Sequence, residues 1–252
     1  MIVDSTISNN DSGGGDNHIP GAGGGITIFG GTISNCTISG NSVYGSIKGT
    51  AVGGGIDARQ TVTVSNSTIS GNSTGINGRG GGIANSNTMA LDNDTLPYNS
   101  AAQGSTIDNG GSIAITNTIL VSSSGQNIFN EGGTITSAGF NVSSDDGGGY
   151  LNGPGDQINT NPLLGQLQDN GGPTSTHELL PGSPAIDAGN PKFTPPPWYD
   201  QRGTDFWRVR NDRIDTGSFE VQNGSALTPT PTPRPTPAPR SRPTPHSRPT
   251  PP

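Results

Sequence analysis

The sequence predicts an all-β solenoid, a right-handed single-stranded parallel β-helix, and three observations carry that reading. First, one phrase recurs: Asn35-Cys36-Thr37-Ile38-Ser39-Gly40-Asn41-Ser42 returns as Asn66–Ser73 and, drifted, as Asn93–Ser100, with truncated copies at Asp4–Ser8 and Asn117–Leu120. Its apolar anchors Ile7, Ile38, Ile69, Leu96 and Leu120 lie 31, 31, 27 and 24 residues apart, the period at which one repeat makes one turn of a solenoid. Second, a glycine run keeps step with it: Gly23-Gly24-Gly25-Ile26, Gly53–Ile56, Gly80–Ile83 and, more loosely, Gly110-Gly111-Ser112-Ile113. Third, residues 1–141 hold 18 Ile against 3 Leu, a β-branched excess that suits a pleated surface rather than a helix.

Each repeat divides into three short extended pieces, visible as Gly55-Ile56-Asp57, Thr61–Val64 and Ser67–Ser70, and again as Gly82–Asn85, Thr88–Asp92 and Asp94–Leu96. Apolar and small polar residues alternate within them, the pattern of strands with one buried face. Gly, Asn and Ser separate the pieces where the chain turns. Strands pairing with their copies about 4.8 Å away place Ile38, Ile69, Leu96 and Leu120 in one core column. Ile26, Ile56, Ile83 and Ile113 are expected to form a second. Asn35, Asn66, Asn93 and Asn117, with Asp4 ahead of them, hold the bend before the third strand. Stacked amides there predict a structural ladder, and Asn tolerates the left-handed backbone of a sharp bend. Length varies after the phrase, from Thr74–Arg79 to Val43–Val52, so loops project from that corner.

Coils are expected over 1–149. After Asp145-Asp146-Gly147-Gly148-Gly149, Leu replaces Ile and Pro becomes frequent, so residues 150–222 read as an irregular cap closing the open solenoid end. Residues 223–252 read as a disordered Thr/Pro/Arg-rich linker, an extended polyproline-type spacer. Met1-Ile2-Val3-Asp4 enters a repeat directly, with no basic and then apolar leader; N-terminal coils and a cap are therefore expected upstream of an internal start.

Composition narrows the function classes. Residues 1–226 hold all 19 acids and 8 of the 12 bases, a charge of −11, which disfavours nucleic acid, a partner bound by neutralising phosphates. No stretch approaches the ~18 apolar residues of a membrane span. One cysteine, Cys36, allows no intrachain disulfide and occupies a slot held by Ser67 and Asp94 in other repeats. Amides without carboxylates are poor metal ligands, and the glycine runs lack the periodic Asp of calcium-binding nonapeptides; no cofactor or metal is expected. Polysaccharide cleavage needs paired carboxylates at a set separation, and Asp57, Asp92, Asp94, Asp108, Glu131, Asp145 and Asp146 share no column in the register assigned above. Asp145-Asp146 resembles an acid pair of pectin-cleaving β-helices, without the His-Gly or Arg-Ile-Lys partner. His177 has no nucleophile signature beside it and reads as supporting a turn.

Asp169-Asn170-Gly171-Gly172-Pro173-Thr174-Ser175-Thr176-His177-Glu178-Leu179-Leu180-Pro181-Gly182-Ser183-Pro184-Ala185-Ile186-Asp187-Ala188-Gly189, followed by Asp200-Gln201-Arg202-Gly203 and Ile214–Glu220, resembles the C-terminal signature of bacterial choice-of-anchor Q proteins, in which β-helix repeats of this kind lie upstream. The resemblance covers residues 1–222. It implies a secreted or surface-exposed β-helix with a variable attachment device and no established enzymatic activity. The Cys-Ser-Leu-Arg-Glu-Ala type motif and a sorting signal are absent from this sequence.

Six of the aromatics, Phe193, Trp198, Tyr199, Phe206, Trp207 and Phe219, crowd one segment. A region poor in aliphatics needs them as its core; were they exposed, Trp198, Tyr199 and Trp207 would be glycan-stacking candidates. Arg202, Arg208, Arg210 and Arg213 interleave with Asp200, Asp205, Asp212, Asp215 and Glu220, a pattern of internal ion pairs. The expected role is non-catalytic: an exported structural or adhesive β-helix contacting polysaccharide or a cell-surface protein along its flank. A β-helix lyase or hydrolase, and a carbohydrate-binding module using the aromatics, are the alternatives.

Overall fold

A computed structural model describes residues 1–13, 21–44 and 51–222; the expectation of a disordered spacer over 223–252 falls outside the described residues. Parallel strands stack into a β-solenoid with three long sheets. The first sheet follows the glycine runs: Ile26–Ile28, Ile56–Ala58, Ile83–Asn85, Ile107–Asn109 and Ile128–Asn130. The second holds Ile2–Val3, Gly31–Ser34, Val62–Ser65, Thr88–Asp92, Ser112–Thr116 and Thr134–Gly139. The third carries the Asn phrase: Thr6–Ser8, Thr37–Ser39, Thr68–Ser70, Thr95–Asn99, Ile119–Ser122 and Val142–Ser143. A fourth, short sheet of Asp11–Gly13, Ser42–Tyr44 and Ser73–Thr74 occupies the corner that length variation marks as a loop.

The first predicted column forms as expected. Ile7, Ile38 and Ile69 pair in register, and Leu96 and Leu120 continue them; the last four are fully buried. The second needs a correction. Ile26, Ile56 and Ile83 stack on Ile107 and Ile128, whereas Ile113 lies in the second sheet between Met89 and Ile135. The run that aligns with Gly80-Gly81-Gly82 is Gly104-Ser105-Thr106. Only its first glycine is required, because Gly53, Gly80 and Gly104 all have positive φ (68°, 61° and 58°), the region in which glycine pays no steric penalty. At Gly81 a Cβ would meet the Ser105 carbonyl at 2.4 Å, so that coil also needs its second glycine; the next has Ser instead.

The bend residues Asp4, Asn35, Asn66, Asn93 and Asn117 all have φ between 46° and 57°, as their shared position predicts. Their amide ladder is only partial. Asn66 donates to Asn35 at 2.8 Å and Asn35 to Asp4 at 3.0 Å, but Asn93 and Asn117 turn to Asp92 Oδ1 instead. The continuous ladder uses the second Asn of the phrase, inside the solenoid. Asn10 donates to Asn41, Asn41 to Asn72 and Asn72 to Asn99 at 2.9–3.0 Å. Each acceptor oxygen also takes the backbone N–H of the residue above. A further row, Asn85–Asn109–Asn130, runs beside the first sheet. Cys36 is buried and free in its Ser67 and Asp94 slot; its N–H bonds Ser67 Oγ, and Ser67 N–H bonds Asp94 Oδ1.

The expected cap also lies elsewhere. Only its beginning closes the solenoid end: Leu151 and Tyr150 pack on the core, and Val142 bridges to Gln157. The remainder runs back along the outside of the third sheet. Thr174 reaches Asn35, Gln201 reaches Cys36 and Thr37, and Gly217 reaches Asn117. The outward column Thr37, Thr68, Thr95, Ile119 and Val142 drives this. Its apolar end packs on Leu179, Ala185 and Phe219, and its hydroxyl end needs buried partners.

Candidate functional site

Two places concentrate chemistry-bearing side chains. The first is the outer face of the first sheet, where one column reads Thr27, Asp57, Ala84, Asp108 and Phe129. Asp57 and Asp108 therefore share a column, two rungs apart, contrary to the expectation that the coil acids do not; displacing Ile113 into the second sheet is what aligns them. Arg59 Nε donates to Asp57 at 2.7 Å. Arg79 pairs with Glu131, lies 5.6 Å from the Phe129 ring centre, and lines a cleft of about 400 Å³ with Asn77, Ala102 and Gln103. Burial pushes the Asp108 carboxyl up to about 6, against the pull of Arg79, and its Oδ1 has no hydrogen-bond partner. A raised acid two rungs, or ~10 Å at ~4.8 Å per rung, from a second carboxylate stands just beyond the widest spacing of a hydrolytic pair, roughly 6.5–9.5 Å in inverting enzymes. Access is what it lacks: Asp57, Ala84 and Asp108 are only 1%, 4% and 4% exposed, so the space between the carboxylates is covered.

Asp145-Asp146 is a turn. Burial raises the Asp145 carboxyl, but bonds from the Asn127 backbone and side chain, Gly147 N–H and Ser143 outweigh it and hold it below its ordinary value. Asp146 accepts from Gly148 N–H. Among the described residues, no three of His, Cys, Asp and Glu gather as a metal set, and no helix is long and apolar enough to cross a membrane.

The second place is the seam between the third sheet and the C-terminal segment. Arg208 is fully buried. Its Nη2 donates to Asn93 at 2.7 Å and to the Gly217 carbonyl, while Nε and Nη1 have no partner. Around it burial raises Asp92, Asp94, Asp215 and Glu220, the last to about 9 despite the pull of Arg208. Arg202 binds Asp200 at 2.5 Å, its guanidinium 3.9 Å and 3.7 Å from the Phe206 and Phe219 ring centres. The predicted ion pairs reduce to that one: Arg213 donates to the Gly189 and Ala188 carbonyls and Arg210 to Gln222.

His177 does more than support a turn. Its Nδ1 faces the Gly165 carbonyl at 2.7 Å and its Nε2 faces Ser70 Oγ at 2.9 Å. The carbonyl can only accept, so Nδ1 carries the proton and Nε2 accepts from Ser70. Burial lowers the His177 pKa, against the Gly165 bond. The contact has the form of a base and its nucleophile, but Ser70 is 5% and His177 2% exposed. It pins the hairpin Leu164–Gln168 and Thr176–Leu179 to the solenoid. The Ser70 partnership has no local sequence signal, since 107 residues separate the two.

The aromatics divide. Phe219 is buried, as a core role requires, but Trp198 and Trp207 are 59% and 46% exposed. The structure joins Tyr199 to Trp207, ring centres 5.0 Å apart and planes tilted 53°, across a short antiparallel bridge. Trp198 is not part of that ring pair. No protein-family model, curated protein or solved structure matches this chain.

Proposed function

We propose that this chain is a non-catalytic, exported or cell-surface β-helix of the choice-of-anchor Q kind, with a structural or adhesive role, touching glycan or protein along its flank. The outer face of the second sheet is the observation that carries the reading. One column there is Thr32, Thr63, Ala90, Ala114 and Thr136; its neighbour contains Thr88, Ser112 and Thr134. Neither holds a charge, and Thr63, Thr88, Ser112, Ala114, Thr134 and Thr136 are exposed. Short hydroxyls and methyls repeating about every 4.8 Å can hydrogen-bond and pack against an extended polymer. They have no group that exchanges protons at neutral pH. Retention of the full chain on immobilised polysaccharides and cell-surface extracts tests this. Thr63→Lys with Thr136→Lys should abolish retention with the circular dichroism unchanged; undiminished retention would refute the flank reading.

The Asp57–Asp108 column favours a second reading, a β-helix that cleaves polysaccharide. Incubation with uronic-acid polymers and neutral glycans, with and without Ca²⁺, separates the two. Cleavage lost in Asp108→Asn would replace the adhesive reading with the enzymatic one.

A further inference from the structure

We propose that the cleft at the corner leading from the third sheet into the first, lined by Asn77, Arg79, Ala102 and Gln103, is a binding subsite for a neutral saccharide. It rests on the glycan arm of the function proposed above, and it adds a contact separate from the face of the second sheet.

The backbone around the cleft is fixed before anything binds. Gly78 N–H donates to the Gly75 carbonyl at 2.9 Å, closing a tight turn in which Asn77 has a φ of 65°. A Cβ on Gly78 would meet Thr74 at 2.4 Å, so the turn needs glycine there. Arg79 then pairs with Val52 on one side and Gln103 on the other, and Ala102 N–H reaches the Gly78 carbonyl at 3.1 Å. The two stretches that wall the cleft, 74–79 and 101–103, are therefore bonded to each other.

Arg79 supplies the directional donors. Its Nη1 engages Glu131, and the guanidinium lies 5.6 Å from the Phe129 ring centre. A fork anchored in this way loses little rotamer freedom when a ligand takes its remaining N–H groups.

The walls choose the ligand. At about 400 Å³ the cleft has the size of a small-molecule site. Asn77 and Gln103 are exposed, and each brings an amide with donor and acceptor side by side. Of the four lining residues only Ala102 is apolar. Such walls suit a ligand dense in hydroxyls, which donate and accept at once, and not an apolar one. Charge narrows the class. Glu131 and the Asp108 carboxyl already answer the charge of Arg79, and residues 1–226 carry −11. An anionic sugar would have to displace Glu131 against that field, and a cationic one would face Arg79. An uncharged pyranose does neither.

The test uses the full chain and short oligosaccharides, which can fill the cleft but cannot run the length of the second sheet. Isothermal titration with neutral gluco-, galacto- and manno-oligosaccharides should show saturable binding of at least one, and digalacturonate should bind more weakly. Arg79→Lys keeps the charge but loses the fork, and should weaken binding about tenfold, the worth of one charge-assisted hydrogen bond. Ala102→Trp, at an exposed position, fills the cleft and should abolish binding with the circular dichroism unchanged. Glu131→Gln removes a carboxylate that answers Arg79 and should turn the preference towards digalacturonate. Binding indifferent to both Arg79→Lys and Ala102→Trp would overturn the proposal. So would the absence of saturable binding, or tighter binding of digalacturonate by the unchanged chain. The flank reading fails separately: polymer retention that survives Thr63→Lys with Thr136→Lys but is lost in Ala102→Trp would refute the flank and leave the cleft standing.

Discussion

Replacing Asn72 with Ala removes one rung of the interior ladder, and the structure sets the cost. Asn41 N–H loses its acceptor, Asn72 Oδ1 at 3.0 Å. Asn41 Nδ2 loses one of its two acceptors but keeps the Ile7 carbonyl. The Ile38 carbonyl loses a donor at 2.9 Å. Asn99 Oδ1 keeps the backbone N–H of residue 72. All sit where Asn41, Asn72 and Asn99 are fully buried, so water cannot substitute. One orphaned donor and three groups that each lose one partner, at about 1–3 kcal/mol for a full orphan, predict a loss of about 2–4 kcal/mol. Asn66→Gly is the control. Glycine accepts the φ of 53° there, and the part-exposed acceptors it leaves, Asn35 Oδ1 and the Tyr199 carbonyl, recover water, so the loss should be about 1 kcal/mol. Asn72→Asp sharpens the test: it keeps an acceptor for Asn41 N–H but sets a carboxylate against Asn99 Oδ1. It should be worse than Ala at pH 7 and recover as the pH falls. Urea unfolding followed by far-ultraviolet circular dichroism measures all three. If Asn72→Ala costs no more than Asn66→Gly, the interior amides fill space and the ladder argument fails.

Ile107→Ala should cost about 2–5 kcal/mol as a large-to-small change in a closed column, while Ile76→Ala, at a residue 89% exposed, should leave the urea midpoint unchanged. Glu220 predicts the pH dependence. Its carboxyl is raised from 4.5 to about 9 by burial, so between those values the folded chain binds more protons than the unfolded one. Stability must fall as pH rises through that window, and Glu220→Gln should flatten the thermal midpoint between pH 5 and 9; an unaltered slope would mean other groups set it. His177→Phe removes the Ser70 and Gly165 bonds together and should cost about 1–3 kcal/mol. Limited proteolysis should then cut first within residues 164–179, and a cut pattern like that of the unchanged chain would show that the hairpin is held elsewhere.

The solenoid was legible because stacking forces each turn to repeat its neighbour, and repetition is visible without coordinates. Legibility failed where one glycine run lost its glycines. Ile83 to Ile113 spans 30 residues, whereas the neighbouring column moves from Leu96 to Leu120 in 24. One coil has one length, so the 24-residue step to Ile107 was the consistent choice. That slip hid the Asp57–Asp108 column, because a register error moves every side chain of the strand. The choice of ladder residue is hidden for a different reason. The phrase holds two Asn, and the turn at Gly40 and Gly71, with φ of 62° and 63°, resets the in-and-out alternation between them, so strand parity alone cannot say which faces inward.

The C-terminal segment was opaque because it does not repeat and its partners are remote: Thr68 and Gln201 lie 133 residues apart, Thr95 and Ser218 123 apart. One physical clue was nonetheless present. Thr37, Thr68 and Thr95 precede the core anchors by one residue and so must face outward. A column that continues as Ile119 and Val142 would expose branched aliphatics at one end of the sheet, an arrangement that calls for cover. The mixed character of the column also explains the mixed character of what covers it. Gln201 and Ser218 meet the threonines, whereas Leu179, Ala185 and Phe219 meet the aliphatics. Outward residues of the third sheet thus select the segment that packs on them, as its inward residues select the core.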